Sequence, residues 1–161
     1  MLAPKGTTPG TARRRWRTGY ASGAFDQLHV GHLRYLRAAA AQCERLVVGI
    51  PSDAVVARAK GRAPLTPQAE RLELVAAFAC VTEALPVAVS MEDADLFAAF
   101  VAGLGIDAVF IGVDWEDTPR WSRLRPRLEA LGISVIFLPR TDGISSSLLR
   151  ARLAGAIETP P

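Results

Sequence analysis

Leu46-Val47-Val48-Gly49-Ile50 is an unbroken apolar run of strand length, closed by Pro51 and followed at once by Ser52, a residue that caps helix N-termini. An antiparallel strand with one wet face would alternate apolar and polar residues. This run does not, so it reads as a strand buried on both faces with a helix behind it. Working outward, the same unit recurs. Further strands are expected over Trp16 to Ser22, Val81 to Pro86, Ala108 to Gly112 and Ile133 to Leu138. Helical patterns lie between them near 30–43, 52–59, 66–79, 92–104, 119–131 and 145–155. Their starts carry Ser52, Thr66 before Pro67, Met91-Glu92-Asp93, Thr118 before Pro119, and Ser145. Strand and helix in alternation predict an α/β fold: a Rossmann-like, doubly wound, five-stranded parallel sheet with right-handed crossovers. Leu36, Val47, Val48, Leu72, Leu74, Val75, Phe78, Phe97, Phe100, Phe110, Ile111, Val135 and Phe137 are the expected core.

The chain has 161 residues, half of them apolar, which suits one globular domain. The run Leu96 to Ile106 is far shorter than the roughly 18–20 residues that span a bilayer, so no membrane span is expected. Arginines cluster after residue 12 with no apolar stretch behind them, the reverse of a secretory signal. Cys43 and Cys80 sit in apolar helical patterns and read as core thiols of a cytoplasmic protein. The formal net charge is +3, but residues 1–25 carry Lys5, Arg13, Arg14, Arg15 and Arg17 and no acid. The remainder therefore holds 14 basic residues of the 19, against 16 acidic, and is slightly acidic. Nucleic acid is accordingly not the expected partner. Residues 1–15 are expected to be a disordered basic tail, 16–156 the domain, and 157–161 a second disordered tail.

In a doubly wound sheet, ligands bind beyond the carboxyl ends of the strands, where the strand order reverses. That directs attention to the turns after the first, second, fourth and fifth strands. Both histidines of the chain lie in the first, in His29-Val30-Gly31-His32. Spaced i, i+3 at a helix start, they face the same way and can donate to one anion, alongside the free N–H groups of the helix end. Gly31 leaves room between them. No further Cys or His stands at a spacing that would complete a zinc site.

Gly23-Ala24-Phe25-Asp26-Gln27-Leu28-His29-Val30-Gly31-His32 resembles the G-x-F-D-x-x-H-x-G-H signature of the cytidylyltransferase-like nucleotidyltransferases. Arg140-Thr141-Asp142-Gly143-Ile144-Ser145-Ser146-Ser147 resembles their second signature, and Gly112-Val113-Asp114-Trp115 is similar to the G-D-D-W segment of glycerol-3-phosphate cytidylyltransferase. The similarity runs over about residues 17–155. It implies transfer of CMP from CTP to a small phosphorylated alcohol, foremost glycerol 3-phosphate, with release of pyrophosphate. An adenylyltransferase, or a CTP-dependent transferase acting on a sugar phosphate or phosphonate, is the alternative, and a catalytically weak nucleotide-binding module the second. The resemblance also implies Mg²⁺ held mainly by nucleotide phosphates, and a homodimer.

By the same resemblance His29, His32, Lys60 and Arg140 are the catalytic set. Ser22, Gly23, Ala24, Phe25, Gly31, Gly112, Asp114, Ile144, Ser145, Ser146 and Ser147 would bind the nucleotide, and Asp26, Arg71 and Trp115 the acceptor. Lys60 and Lys5 are the only lysines, and Lys60 stands in Ala59-Lys60-Gly61-Arg62, after the second strand, where a cationic loop can close on phosphates. A structural and a phosphate-binding role are both open for Arg71. Trp115 lines a pocket or packs, Trp121 belongs to core or rim, and the serines 145–147 form either an anion cradle or only a helix cap. Ala24 replaces the usual threonine, and Val113 replaces the first aspartate of G-D-D-W.

Overall fold

The computed structural model describes residues 15–155; the expected tails fall outside them, apart from Arg15. Five strands and six helices follow one another as β1 (Trp16–Ser22), α1 (Val30–Ala40), β2 (Cys43–Pro51), α2 (Asp53–Lys60), α3 (Gln68–Ala76), β3 (Glu83–Val87), α4 (Ala94–Gly103), β4 (Ala108–Gly112), α5 (Pro119–Ala130), β5 (Ser134–Leu138) and α6 (Ser146–Leu153). A short 3₁₀ turn, Val113–Trp115, follows β4. The strands form one sheet in the order β3-β2-β1-β4-β5, and every pairing is parallel. The order reverses between β1 and β4, so the crevice for a ligand lies beyond Ser22 and Gly112.

Period-two alternation sorts the strand residues into two layers. Tyr20, Val47, Val109, Ile111 and Val135 pack with Phe97 and Val101 of α4 and with Trp121, Leu124 and Leu128 of α5. Ala21, Leu46, Val48, Ile50, Ala108 and Phe110 pack on the other face with Leu36 and Ala39 of α1 and Val75 of α3. Glycines on the central strand β1 and on its neighbour β2 let large side chains cross the middle of the sheet. A Cβ on Gly19 would lie 2.5 Å from the Phe110 ring, and one on Gly49 of β2 would lie 2.0 Å from the Tyr20 hydroxyl.

Several boundaries differ from the sequence reading. The helical pattern of 30–43 stops at Ala40 because Cys43 opens β2, paired with Trp16, so this buried thiol sits in a strand. α3 ends at Ala76, not 79, and the apolar residues beyond it, Phe78, Cys80 and Val81, fold as a turn packed partly buried against the α1 and α3 layer. Cys80 is thus half-buried and outside any helix. β3 starts at Glu83 rather than Val81 and runs along the sheet's edge, where Pro86 is tolerated. Leu74 is 49% exposed on the outer side of α3 and is not core. No helix among the described residues is long and apolar enough to cross a membrane.

Candidate active site

The β1–α1 loop departs from ordinary backbone twice in three residues: Phe25 and Gln27 have φ of 50° and 52°. Left-handed conformations cost such residues roughly 1–2 kcal/mol each, and the surrounding contacts hold them there. Phe25 is buried, with its ring edge on His32 at a centroid distance of 5.3 Å. Asp26 is 2% exposed, and its Oδ1 accepts from the backbone N–H groups of Leu65 (3.0 Å) and Thr66 (3.1 Å), tying down the far end of the loop that follows Lys60.

His29 and His32 close the start of α1 as a reciprocal cap. The Gly31 N–H donates to His29 Nδ1 at 3.1 Å, and the His29 N–H donates to His32 Nδ1 at 3.3 Å. An Nδ1 that accepts is unprotonated, so in both rings the proton sits on Nε2. The rings stack at 3.9 Å and 24°. Protonation would break both caps, and burial opposes it as well. Burial, then the neighbouring His29 and Lys60, bring His32 down to about 4, with Asp26 opposing. Burial and Arg140 lower His29. At neutral pH the pair is therefore two neutral N–H donors. Gly31 is required between them, since a Cβ there would lie 2.8 Å from the His29 ring and 3.2 Å from Ile144.

These rings line a cleft of about 330 Å³ at the carboxyl ends of β1, β4 and β5. The structure brings together there Ser22, Gly23, Phe25, His29, Gly31, His32, Lys60, Gly112, Asp114, Trp115, Arg140, Ile144, Ser145, Ser146 and Ser147, as the motifs anticipate. Lys60 is the last residue of α2, and Gly61 ends the helix at φ 68°. Partial burial in the cleft, reinforced by Arg62 and Arg150, lowers the Lys60 ammonium below its ordinary value. Arg140 Nη1 donates to Asp114 Oδ2 at 3.1 Å, so these two form a pair across the cleft. The three serines are already engaged. Ser145 Oγ accepts from the Leu148 N–H, Ser146 Oγ donates to the Asp26 carbonyl, and Ser147 Oγ accepts from Arg150. The cap reading therefore holds for Ser145; the α6 N-terminus still offers its dipole to an anion.

Three expected ligand contacts are placed elsewhere. Arg71 is 0% exposed and spends its guanidinium on the protein: Nε donates to the Thr66 carbonyl (2.9 Å), Nη1 to Ala24 (2.7 Å), and Nη2 to Pro51 (2.9 Å) and to Asp53 Oδ1 (2.6 Å). It knots together the β1–α1 loop, the end of β2 and the start of α3, and, fully buried, presents no donor to a substrate phosphate. Asp26 lies beneath the cleft for the same reason, with Arg150 3.9 Å away. Ala24 lines a second, adjoining cavity rather than the cleft. Sequence reasoning passed over Tyr35 and Arg150. Tyr35 donates from its hydroxyl to the Phe110 carbonyl at 2.8 Å, stapling α1 to β4 beside the cleft. Arg150 donates to Gln27 Oε1 at 3.0 Å and adds a cation to the lining. Their helical positions carry no motif, and only the fold turns them inward.

No three His, Cys, Asp or Glu cluster to hold a metal among the described residues. Asp114, the carboxylate on the cleft lining, is committed to Arg140.

A family model described as cytidylyltransferase-like matches residues 20–152. The chain is 34% identical over 143 residues to the bifunctional protein HldE of Acidiphilium cryptum, covering 88% of this chain and 28% of that protein. It is 35% identical over 159 residues to the bifunctional protein HldE of Streptomyces coelicolor, covering 94% and 32%. The chain thus spans about a third or less of the length of these curated relatives. Among solved structures, a lipopolysaccharide core biosynthesis protein from Thermoplasma volcanium superposes with a TM-score of 0.62 at 26% identity, over 78% of this chain and 96% of that one. With the two signatures lining one cleft at the sheet's switch point, and a model match over most of the domain, the chain belongs to the cytidylyltransferase-like family of nucleotidyltransferases.

Proposed function

We propose that this domain transfers an adenylyl group from ATP to the phosphate of a sugar phosphate, releasing pyrophosphate. The observation that carries nucleotidyl transfer is the pair of neutral, tautomer-fixed imidazoles facing a cleft that also holds Lys60, Arg140 and Arg150. An oxygen of the acceptor phosphate attacks the α-phosphorus, a new P–O bond forms, and the bond to the bridging oxygen of the β-phosphate breaks, the electron pair leaving with pyrophosphate. Protein catalysis of such a step is positioning and charge stabilisation. The Nε2–H groups of His29 and His32 donate to oxygens around the α- and β-phosphates. Lys60, Arg140 and the α6 N-terminus hold the leaving group. No general base is required, because a phosphomonoester with a second pKa of ~6 is already largely dianionic at neutral pH. Mg²⁺ would reach the cleft within the triphosphate complex, held by phosphate oxygens and water, and would contribute charge neutralisation.

The choice of ATP and a sugar phosphate over CTP and glycerol 3-phosphate rests on the relatives. The two curated relatives described above are HldE proteins, and a solved relative is a lipopolysaccharide core biosynthesis protein, a name that speaks of saccharide chemistry. Val113 in place of an aspartate also removes a charge expected of the glycerol-phosphate enzyme. CMP transfer to glycerol 3-phosphate is the competing reading, supported by Asp114 and Trp115 at the cleft edge. Pyrophosphate release with ATP or CTP against hexose 1-phosphates, heptose 1-phosphates and glycerol 3-phosphate separates the two. Release with ATP and a sugar phosphate is expected; release confined to CTP and glycerol 3-phosphate would overturn the proposal.

A further inference from the structure

A second cavity, of about 150 Å³, adjoins the triphosphate cleft and shares Ser22, Gly23, Lys60, Ile111 and Trp115 with it. An in-line displacement places the attacking and leaving oxygens on opposite sides of the α-phosphorus. The histidines, Arg140 and the α6 serines all lie in the first cleft and are absent from the second. If the first takes the triphosphate, the second is left for the acceptor's body.

Its wall is made by Val55, Val56, Val87, Met91, Phe97 and Trp121. No carboxylate or carboxamide side chain lines it. The two hydroxyls at its rim already engage the backbone, Ser22 Oγ donating to the Gly49 carbonyl at 3.0 Å and Ser90 Oγ accepting from the Glu92 N–H at 3.2 Å, and the Trp121 indole N–H, buried and without a partner, is a donor that takes no hydroxyl proton. Arg120 is paired with Glu92 and lies 4.8 Å over the Trp115 ring. Sites for polyhydroxylated sugars need acceptors for the hydroxyl protons, and a hydroxyl buried without a partner is penalised. A cationic headgroup would also lack a counter-charge here. A cavity of about 150 Å³ with an aliphatic and aromatic wall accepts a group the size of a six-membered hydrocarbon ring.

We propose that the acceptor is a deoxysugar phosphate whose deoxygenated edge lies against this wall, rather than a fully hydroxylated sugar phosphate. The inference rests on the nucleotidyl-transfer reading above and narrows its acceptor. A hydrophobic pocket discriminates against an added hydroxyl by up to ~10²-fold.

The test compares kcat/KM for pyrophosphate release, with ATP and Mg²⁺, for two matched pairs: D-fucose 1-phosphate against D-galactose 1-phosphate, and 6-deoxy-D-glucose 1-phosphate against D-glucose 1-phosphate. The deoxy member is expected to be favoured ~10–100-fold. In Met91→Gln, which keeps the shape of a half-buried side chain and adds an acceptor, the preference is expected to narrow. Because the ratio is taken within one enzyme preparation, it does not depend on the fraction folded. Equal or better use of the hydroxylated partners would overturn the deoxysugar proposal and leave nucleotidyl transfer standing. Silence with every phosphomonoester would overturn nucleotidyl transfer, and this inference with it.

Discussion

Replacing Arg71 with Met tests whether the site is built from beneath, because it keeps the buried stem and removes only the guanidinium. Three backbone carbonyls, of Ala24, Pro51 and Thr66, lose their donor in a place with no solvent access around the arginine. Each buried group left unpaired costs roughly 1–3 kcal/mol. The fourth partner, Asp53, has a side chain 49% exposed and rehydrates, so it adds little. Relief of the guanidinium's own desolvation and the burial of an apolar side chain offset part of the loss. A net destabilisation of about 3–5 kcal/mol follows, which at roughly 2–4 °C per kcal/mol for a domain of this size is a fall in Tm of about 6–20 °C. Urea unfolding followed by circular dichroism reads the stability, and the acceptor KM, measured well below the new Tm, reads any role in binding. A variant as stable as the parent with a KM raised tenfold would show that Arg71 grips substrate and that the knot is incidental.

The remaining predictions concern the cleft. His32→Ala is expected to lower kcat by ~10²–10³, the scale for one preorganised donor, with the fold retained; unchanged turnover would remove the histidine from the mechanism. His32 is held down near 4, so the fold favours its neutral form. That contribution is fully present above the ordinary value of about 6.5 and is lost as pH falls towards 4. At roughly 1.4 kcal/mol per tenfold change it amounts to about 3 kcal/mol. An NMR titration of the ring that shows a midpoint near 6.5 would contradict the tautomer lock. Lys60→Ala is expected to raise the KM for the triphosphate at least tenfold while leaving Tm within a degree or two, since the residue ends its helix and is only partly covered by the cleft; the reverse pattern, a large fall in Tm with normal kinetics, would mark it as structural.

What could be read from the residues depended on whether the signal was local. The doubly apolar runs at Leu46–Ile50 and Ala108–Gly112 announced a parallel sheet, because burial on both faces leaves no alternation. The spacing of His29 and His32 announced two rings on one side of a helix start, although not that each ring would accept a backbone N–H and thereby fix its tautomer. Cys43 was misplaced because an apolar helix end and a buried strand start look alike until the pairing with Trp16 is known. Leu74 looked like core, and Arg71 was open to either an acceptor-binding or a structural role. Their positions follow from which side of α3 meets the sheet, a tertiary choice that overrides residue type. The second cavity was not legible at all, since a pocket wall made of Val55, Val87, Met91, Phe97 and Trp121 has the same composition as a core and comes from segments far apart in the chain.

The central claim is that the stacked histidines and the cations around them transfer a nucleotidyl group to a phosphate. Pyrophosphate release with ATP or CTP, Mg²⁺ and a panel of sugar 1-phosphates, run side by side on the parent and on His32→Ala, tests it most directly. Acceptor-dependent release by the parent, reduced ~10²–10³ in the variant, is the predicted result. Triphosphate binding without release for any phosphate acceptor, or release that the variant sustains at the parental rate, would contradict it.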